Sequence, residues 1–541
     1  MEKRLLLAFI LSFGILYLWF GGSARRPIQS NYPQLVVNKE VTQYLAPTQD
    51  FLKPSPPASA PEIKVIEKEH VLDSGKFVVT FSNVGGTIKN ILLKEYNASL
   101  PATRLMGLEG YENEDFSLEY TDSEKVIYSF NSGDIKISKI YSISPNDYLI
   151  KSDIQIINKT EMSKLKNGVE IHGINLDMSI LNSKDINYNP RESSLYEYSI
   201  LLKDNKIERK GGASKFFSKE TKNGYGKIEW LGFRDRYFCL LVKPLFETEG
   251  YGIKALDEKN LQMSMRGKLE SSPGQAVKLS QTIFFGPQSL FLLKGYDSRF
   301  ENIMAFSGFA LIDGIAKAIY FCMHLIHKII PNWGICILLL GISIYLLTYP
   351  LTLTMMSSMK KMQAIQPKMA ALKEKNKNNP QKLNKEIVEL YKEHKVNPLG
   401  GCLPLVLQMP IFIGLYQVLW RSVSFKGAHF LWIKDLSMPD RLFILPFTIP
   451  GLGNEFNLLP LLMVGAVFIQ QRLSSKNMVV ADPMQASQQK MMGIMMPVFM
   501  GAIFYKMASG LTLYFFVFYA LSAWTQWKMS KKTITVNVKN G

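Results

Sequence analysis

The stretch GICILLLGISIYLLTYPLTLTMM, Gly334 to Met356, runs directly into SSMKKMQAIQPKMAALKEKNKNNPQKLNKEIVELYKEHKVNP, residues 357–398. The first segment is apolar over the length a bilayer-spanning helix needs. Pro350 is its strongest breaker, and a membrane helix tolerates it. The second segment carries ten lysines against four glutamates. A basic segment beside a span stays on the cytoplasmic side. Within it, Met359, Met362, Ile365 or Gln366, Met369 and Leu372 recur at helical spacing. Asn376 to Pro380 interrupts the pattern, and Leu383, Ile387 and Leu390 resume it. The spacing predicts two antiparallel helices facing each other. Lys360, Lys361, Lys373 and Lys382 then form either a solvated face near anionic lipid heads or a cytoplasmic docking surface.

Further apolar runs follow at Cys402–Trp420, Leu458–Ile469, Met491–Tyr505 and Leu511–Trp527, with Ala508-Ser509-Gly510 as a tight turn. The loop 424–456 is neutral, with three basic and three acidic residues. The tail adds Lys528, Lys531, Lys532 and Lys539 with no acid. The basic segments therefore belong inside and the neutral loop outside. The chain starts with Lys3 and Arg4 before an apolar run, Leu5 to Phe20. This predicts an N-terminal anchor, 1–24, retained rather than cleaved, although Gly22, Ser23 and Ala24 also fit a signal cleavage site. The count closes at six spans with both termini cytoplasmic and 25–332 on the far side. The core of five spans occupies 332–528, followed by a basic tail, 529–541.

Seven prolines between Pro27 and Pro61 make 25–63 an extended linker. Residues 64–300 read as an all-β sandwich domain. Phe77–Phe81, Ile88–Leu93, Tyr148–Ile150, Ile154–Ile157, Trp230–Phe233 and Tyr237–Val242 are rich in strand formers, and Gly85-Gly86 marks a turn. Residues 301–331 read as an amphipathic helix, with Phe306, Phe309, Ile312, Ile315, Ile319 and Met323 on one face. Asp313, Lys317, His324 and Lys328 interrupt it, so it is expected to lie flat in the outer interface rather than to span.

The whole chain has a net charge of +18 over 541 residues. Its placement beside spans points to membrane topology rather than to a specific nucleic-acid surface. Cys239, Cys322, Cys336 and Cys402 form no CxxC pair, and no disulfide framework is expected. His324 and His327 lack an acid to complete a metal set. No HExxH, GxSxG or P-loop pattern occurs, so no catalytic residue, cofactor or metal is expected and the chain is not read as an enzyme. A transporter or channel is the competing class. It should show inverted repeats or intramembrane acid pairs, and neither is present.

The segment Val396-Asn397-Pro398-Leu399-Gly400-Gly401-Cys402-Leu403-Pro404, continuing through Gln408-Met409-Pro410-Ile411-Phe412, resembles the YidC family of membrane protein insertases. Asn332-Trp333-Gly334, Tyr349-Pro350-Leu351-Thr352, Gln366-Pro367-Lys368, Leu431–Ser437, Asp482-Pro483-Met484-Gln485 and Ser509-Gly510-Leu511 follow in family order. The resemblance is strong over 333–527. Over the N-terminal half it is looser and matches the form with a large periplasmic domain. It implies a multi-pass protein of the bacterial inner membrane that inserts and folds other membrane proteins, alone or with the Sec translocon. It implies nascent membrane proteins, ribosomes or targeting factors and the lipid bilayer as partners. The β domain is implied to be a supersandwich, largely dispensable for insertion. Five spans are implied to enclose a polar groove open to the cytoplasm and to lipid.

The family usually places an arginine in the span before the basic hairpin, and Tyr345 stands there in this chain. The polar stripe persists without the charge: Gly341, Tyr345, Thr348 and Thr352 fall on one helical face. Gln408, Gln417, Gln470, Gln471, Thr512, Tyr514, Ser522 and Gln526 are candidates to face it. Any one of them is equally explained by hydrogen bonding between helices. Met491, Met492, Met495, Met496 and Met500 give the fifth span a flexible surface, suited either to varied apolar clients or to lipid.

Overall fold

The computed structural model describes residues 65–99, 104–133, 135–158, 169–177, 196–211, 221–255, 260–267, 274–376, 379–394, 403–449, 452–476 and 483–531. The N-terminal anchor, the linker, the Val396–Cys402 motif and nearly all of the basic tail lie outside the described residues. The chain divides into two compact units, one β-rich and one helical, with the boundary in the chain at Gly286/Pro287 and residues 236–238 grouped with the helical unit.

In the β-rich unit, nine strands form one sheet. In spatial order they are Ile207–Gly211, Glu197–Leu202, Ile228–Arg234, Phe238–Pro244, Ala276–Pro287, Leu149–Asn158, Ile135–Ile143, Lys125–Ser132 and Ser117–Thr121. A five-stranded and a four-stranded sheet complete the unit. Strand 135–143 alternates as the period of two requires, with Ile137, Tyr141 and Ile143 buried. Strand Ile228–Arg234 is buried at every position, as a central strand covered on both faces must be. The expected turn forms between Phe77–Ser82 and Thr87–Leu93. Gly85 and Gly86 there have φ of +67° and +54°, and a Cβ on Gly85 would lie 2.7 Å from the Glu112 carbonyl oxygen. That is why the sequence needs glycine at the turn.

One core residue breaks the alternation rule. Lys139 sits on the buried face of its strand, 0% exposed. Its Nζ donates to the carbonyl oxygens of Gly85 at 2.6 Å and Met106 at 2.7 Å and lies 5.2 Å from the Phe116 ring centre. Tyr141, two residues on, donates to the Gly86 carbonyl at 2.7 Å. These two side chains satisfy backbone carbonyls of the glycine turn that the sheets would leave unpaired. Burial pushes the Lys139 ammonium down to about 7, with Glu112 acting weakly the other way.

The helical unit contains α1 (Ala310–Ile329), α2 (Trp333–Lys375), α3 (Pro380–Glu393), α4 (Leu403–Arg421), α5 (Leu458–Lys476), α6 (Pro483–Phe504) and α7 (Ser509–Lys531). The first span and the first arm of the hairpin are one continuous helix of 43 residues that runs through Pro350 and Pro367. Asn332 starts it, its side chain accepting from the Ile335 amide at 3.1 Å. The expected break comes at Asn376, and Asn379 caps α3 by accepting from the Lys382 amide at 3.1 Å. Between the arms, Ile365 and Leu390 are buried with Met362, Met369, Leu372 and Tyr391 packed around them. The two stripes therefore meet as the spacing predicts.

By length and composition two helices among the described residues can cross a membrane, Ala310–Ile329 and Trp333–Thr354. The first is the helix expected to lie flat in the outer interface, and its length and mean hydropathy also meet the requirement for a span. Its interruptions are partly neutralised: Lys317 Nζ pairs with Asp313 Oδ2 one turn away at 2.9 Å. Of its apolar residues, Ala316, Ile319 and Met323 are buried while Leu311, Phe321, Leu325 and Ile329 are exposed. A hydrogen in place of a side chain at Gly414 lets α4 approach the Ala316 backbone closely. Of the four cysteines, Cys239 and Cys336 are buried and Cys322 is exposed, while Cys402 lies outside the described residues.

Candidate functional site

The polar stripe of α2 lies along α7, with α4 beside them. Gly341 places its backbone against Tyr514, so that a Cβ there would touch the ring at 3.4 Å. Tyr345 is 4% exposed. Its hydroxyl donates to Thr525 Oγ1 at 2.6 Å, and its ring meets Phe518 edge-on with centres 5.8 Å apart. Gln408 on α4 reaches the same layer, its amide donating to the Tyr514 hydroxyl at 3.2 Å. The structure thus brings Gly341, Tyr345, Gln408 and Tyr514 together. Thr348 and Thr352 continue the face toward the hairpin and are partly exposed. Their hydroxyls return to their own helix, Thr348 to the Ile344 carbonyl at 2.9 Å and Thr352 to the Thr348 carbonyl at 3.1 Å. They leave acceptor capacity on that face without using it across helices.

Tyr345 and Tyr514 are enclosed rather than open, because their hydroxyls find partners inside the bundle. A tyrosine hydroxyl does this with one partner, whereas a guanidinium carries a charge and five N–H donors that this layer would have to satisfy. Thr525 was missed in the sequence. Its signal was available: Tyr514, Phe518, Ser522 and Thr525 share one face at i, i+4, i+8 and i+11. Gln526 follows, buried, with Oε1 lacking a hydrogen-bond partner. Gln417 is used within its own helix, accepting from Arg421 Nε at 3.1 Å. Of the hairpin lysines, Lys361 and Lys382 are exposed and Lys373 is partly exposed. Lys360 lies in α2. Among the described residues no group of His, Cys, Asp and Glu could hold a metal.

The opposite end of the bundle, where α5 and α7 begin and α4 and α6 end, is closed by segments far apart in sequence. A Cβ on Gly334 would sit 2.1 Å from the Phe430 ring, and one on Gly510 would lie 3.1 Å from the Leu436 carbonyl. Ser509 Oγ donates to the Asp435 carbonyl at 3.0 Å, and the Gly510 amide to that of Leu436 at 2.9 Å. Asp440, 3% exposed, accepts from the Leu459 amide at 2.8 Å and from Trp432 Nε1 at 3.2 Å. Asn457 bridges further, donating to the Tyr505 carbonyl at 2.7 Å and accepting from the Arg441 amide at 3.0 Å. Short segments far apart along the chain become, at this end, a single packed polar layer.

Two family models match the chain. The 60Kd inner membrane protein model covers residues 325–536 and the YidC periplasmic domain model covers residues 108–320. The "Membrane protein insertase YidC" of Pelobacter propionicus is 32% identical over 95% of this chain and 96% of its own length. That of Geotalea uraniireducens is 31% identical over 96% of this chain and 97% of its own. Among solved structures, YidC from Thermotoga maritima aligns with 84% of this chain and 99% of its own at 15% identity, with a TM-score of 0.32.

Proposed function

The chain belongs to the YidC family of membrane protein insertases, and we propose from that premise how its bundle handles a client. It is an insertase of the inner membrane with a β-sandwich periplasmic domain and a helical membrane region, and it is not an enzyme. Its substrates are membrane proteins. We infer six spans with both termini cytoplasmic, α1 in the outer interface, and the α2–α3 hairpin inside as the arm that meets ribosomes or targeting factors. The Sec translocon is a partner in the same reading.

The observation that carries the mechanism is the asymmetry of the bundle. One end is sealed by the Asp435–Asp440–Asn457 layer, while the polar stripe Gly341–Tyr345–Thr348–Thr352 runs from the interior toward the hairpin. A hydrophilic client segment left unpaired in hydrocarbon costs several kcal/mol. Hydroxyls and amides along α2, α4 and α7 offer it hydrogen bonds part of the way. Its apolar segment then leaves sideways into lipid, and that transfer drives the step without a nucleotide. Contact at Tyr345 and Tyr514 requires α2 and α7 to part, exchanging Tyr345–Thr525 and Gln408–Tyr514 bonds for client bonds.

With Tyr345 in the arginine position, the groove attracts acidic segments weakly. Tyr345→Arg is expected to improve insertion of clients with acidic tails over neutral ones. An ion pair in a half-hydrated groove is worth up to about 1 kcal/mol, or roughly fivefold. Equal insertion of a graded acidic series by both proteins would sink the idea. Topology has a separate check. In spheroplasts, a membrane-impermeant maleimide should modify Lys434→Cys and spare Lys382→Cys until the membrane is broken. The reverse pattern would invert the orientation.

A further inference from the structure

Residues 442–454 read LFILPFTIPGLGN and carry no charge. The strands Phe443–Ile449 and Gly453–Phe456 form an isolated two-stranded hairpin between α4 and α5. Both faces of its first strand are open. Phe443, Ile444, Pro446, Phe447 and Thr448 are all exposed, Ile444 at 69% and Phe447 at 60%. Surrounded by water, so apolar a two-faced strand would be an aggregation site.

We propose that this hairpin is a lipid-inserted depth anchor, seated in the outer leaflet at the boundary between headgroups and acyl chains. The proposal rests on the multi-spanning reading above. Three features select lipid over a protein partner. The hairpin continues the membrane surface of the bundle, because only Asn457 separates Phe456 from the start of α5. Charge stops sharply at its base, where Arg441 Nε meets Glu455 Oε1 at 2.7 Å, placing a neutralised pair at headgroup level and only uncharged residues beyond it, all apolar but Thr448 and Asn454. Apolar residues point both ways along the strand, which suits a surrounding solvent of acyl chains. A protein partner would cover one face.

The backbone sets the depth. Pairing holds at Phe443–Phe456, Ile444–Glu455 and Ile449–Gly453 and is interrupted between. Phe443 and Phe456 stack at 4.6 Å to lock the base. The amides of the interrupted stretch need water or headgroup oxygen, so the hairpin cannot sink into the hydrocarbon centre. Pro446 removes one of those donors.

The test uses the full-length chain in vesicles of phosphatidylethanolamine and phosphatidylglycerol. Benzoylphenylalanine replaces Phe447 in one variant and Leu347, exposed on the spanning part of α2, in another. Irradiation of the Phe447 variant should yield lipid adducts by mass spectrometry, as the Leu347 variant does. Chain-to-chain products at Phe447, or no adduct there while Leu347 gives lipid adducts, overturn the proposal in favour of a second copy or an aqueous hairpin. Loss of lipid adducts at both positions instead overturns the spanning reading, and this proposal with it.

Discussion

Asp440→Ala is expected to lower the unfolding midpoint of the detergent-purified chain by about 5 °C or more, whereas Asp440→Asn retains most of the stability. The carboxylate is buried and answers two donors, the Leu459 amide that opens α5 and the Trp432 indole. Alanine leaves both donors without an acceptor, a loss of about 2–4 kcal/mol. Asparagine keeps one acceptor oxygen in the same place. The damage should be local at first. Hydrogen exchange should rise in 430–441 and at the start of α5 before it rises in the α2–α3 hairpin. If the alanine variant unfolds with the parent, the sealed end does not depend on this network. Insertion activity should fall with it, since the mechanism needs one end of the bundle closed.

The second large effect lies in the β domain. Lys139 is held near 7 against an ordinary value of 10.5. Between these values the unfolded chain binds more protons than the folded one, so stability rises with pH through that window and is lowest at and below its lower edge. From pH 7 to 9.5 the gain amounts to about 3 kcal/mol. Hydrogen exchange of strand 135–143 in the intact protein, corrected for intrinsic rate, reads it directly. Lys139→Met should abolish the slope and stay folded. It also orphans the Gly85 and Met106 carbonyls, so its stability at pH 9.5 should fall below that of the parent. A pH slope unchanged in Lys139→Met would show that another group sets it.

The hairpin 357–393 was legible because its stripes are local: period and a breaker fix two facing helices before any tertiary contact. Strands such as Phe77–Ser82 and the Gly85-Gly86 turn were legible for the same reason. Lys139 was legible only in part: the period of two puts it on the inward face with Ile137, Tyr141 and Ile143, but nothing in IKISKIYSI shows what would satisfy a buried ammonium. Its burial depends on two carbonyls supplied by Gly85 and Met106.

At the candidate site the face containing Gly341, Tyr345, Thr348 and Thr352 followed from helical period alone. Which of these residues find partners did not. Tyr345 closes on Thr525, 180 positions away, and Thr348 turns back on its own helix. Such pairings depend on how helices dock, and a one-dimensional pattern does not encode docking. By itself the sequence determined the charge asymmetry, the helical faces, the β-rich half and the absence of the arginine. Only the tertiary structure decided that the distant motifs at 332–334, 431–437 and 509–511 form one sealed end. It also showed the apolar hairpin between them open on both faces. Local pattern sets which surfaces exist, while burial of backbone polar groups at a shared end sets which of them must meet.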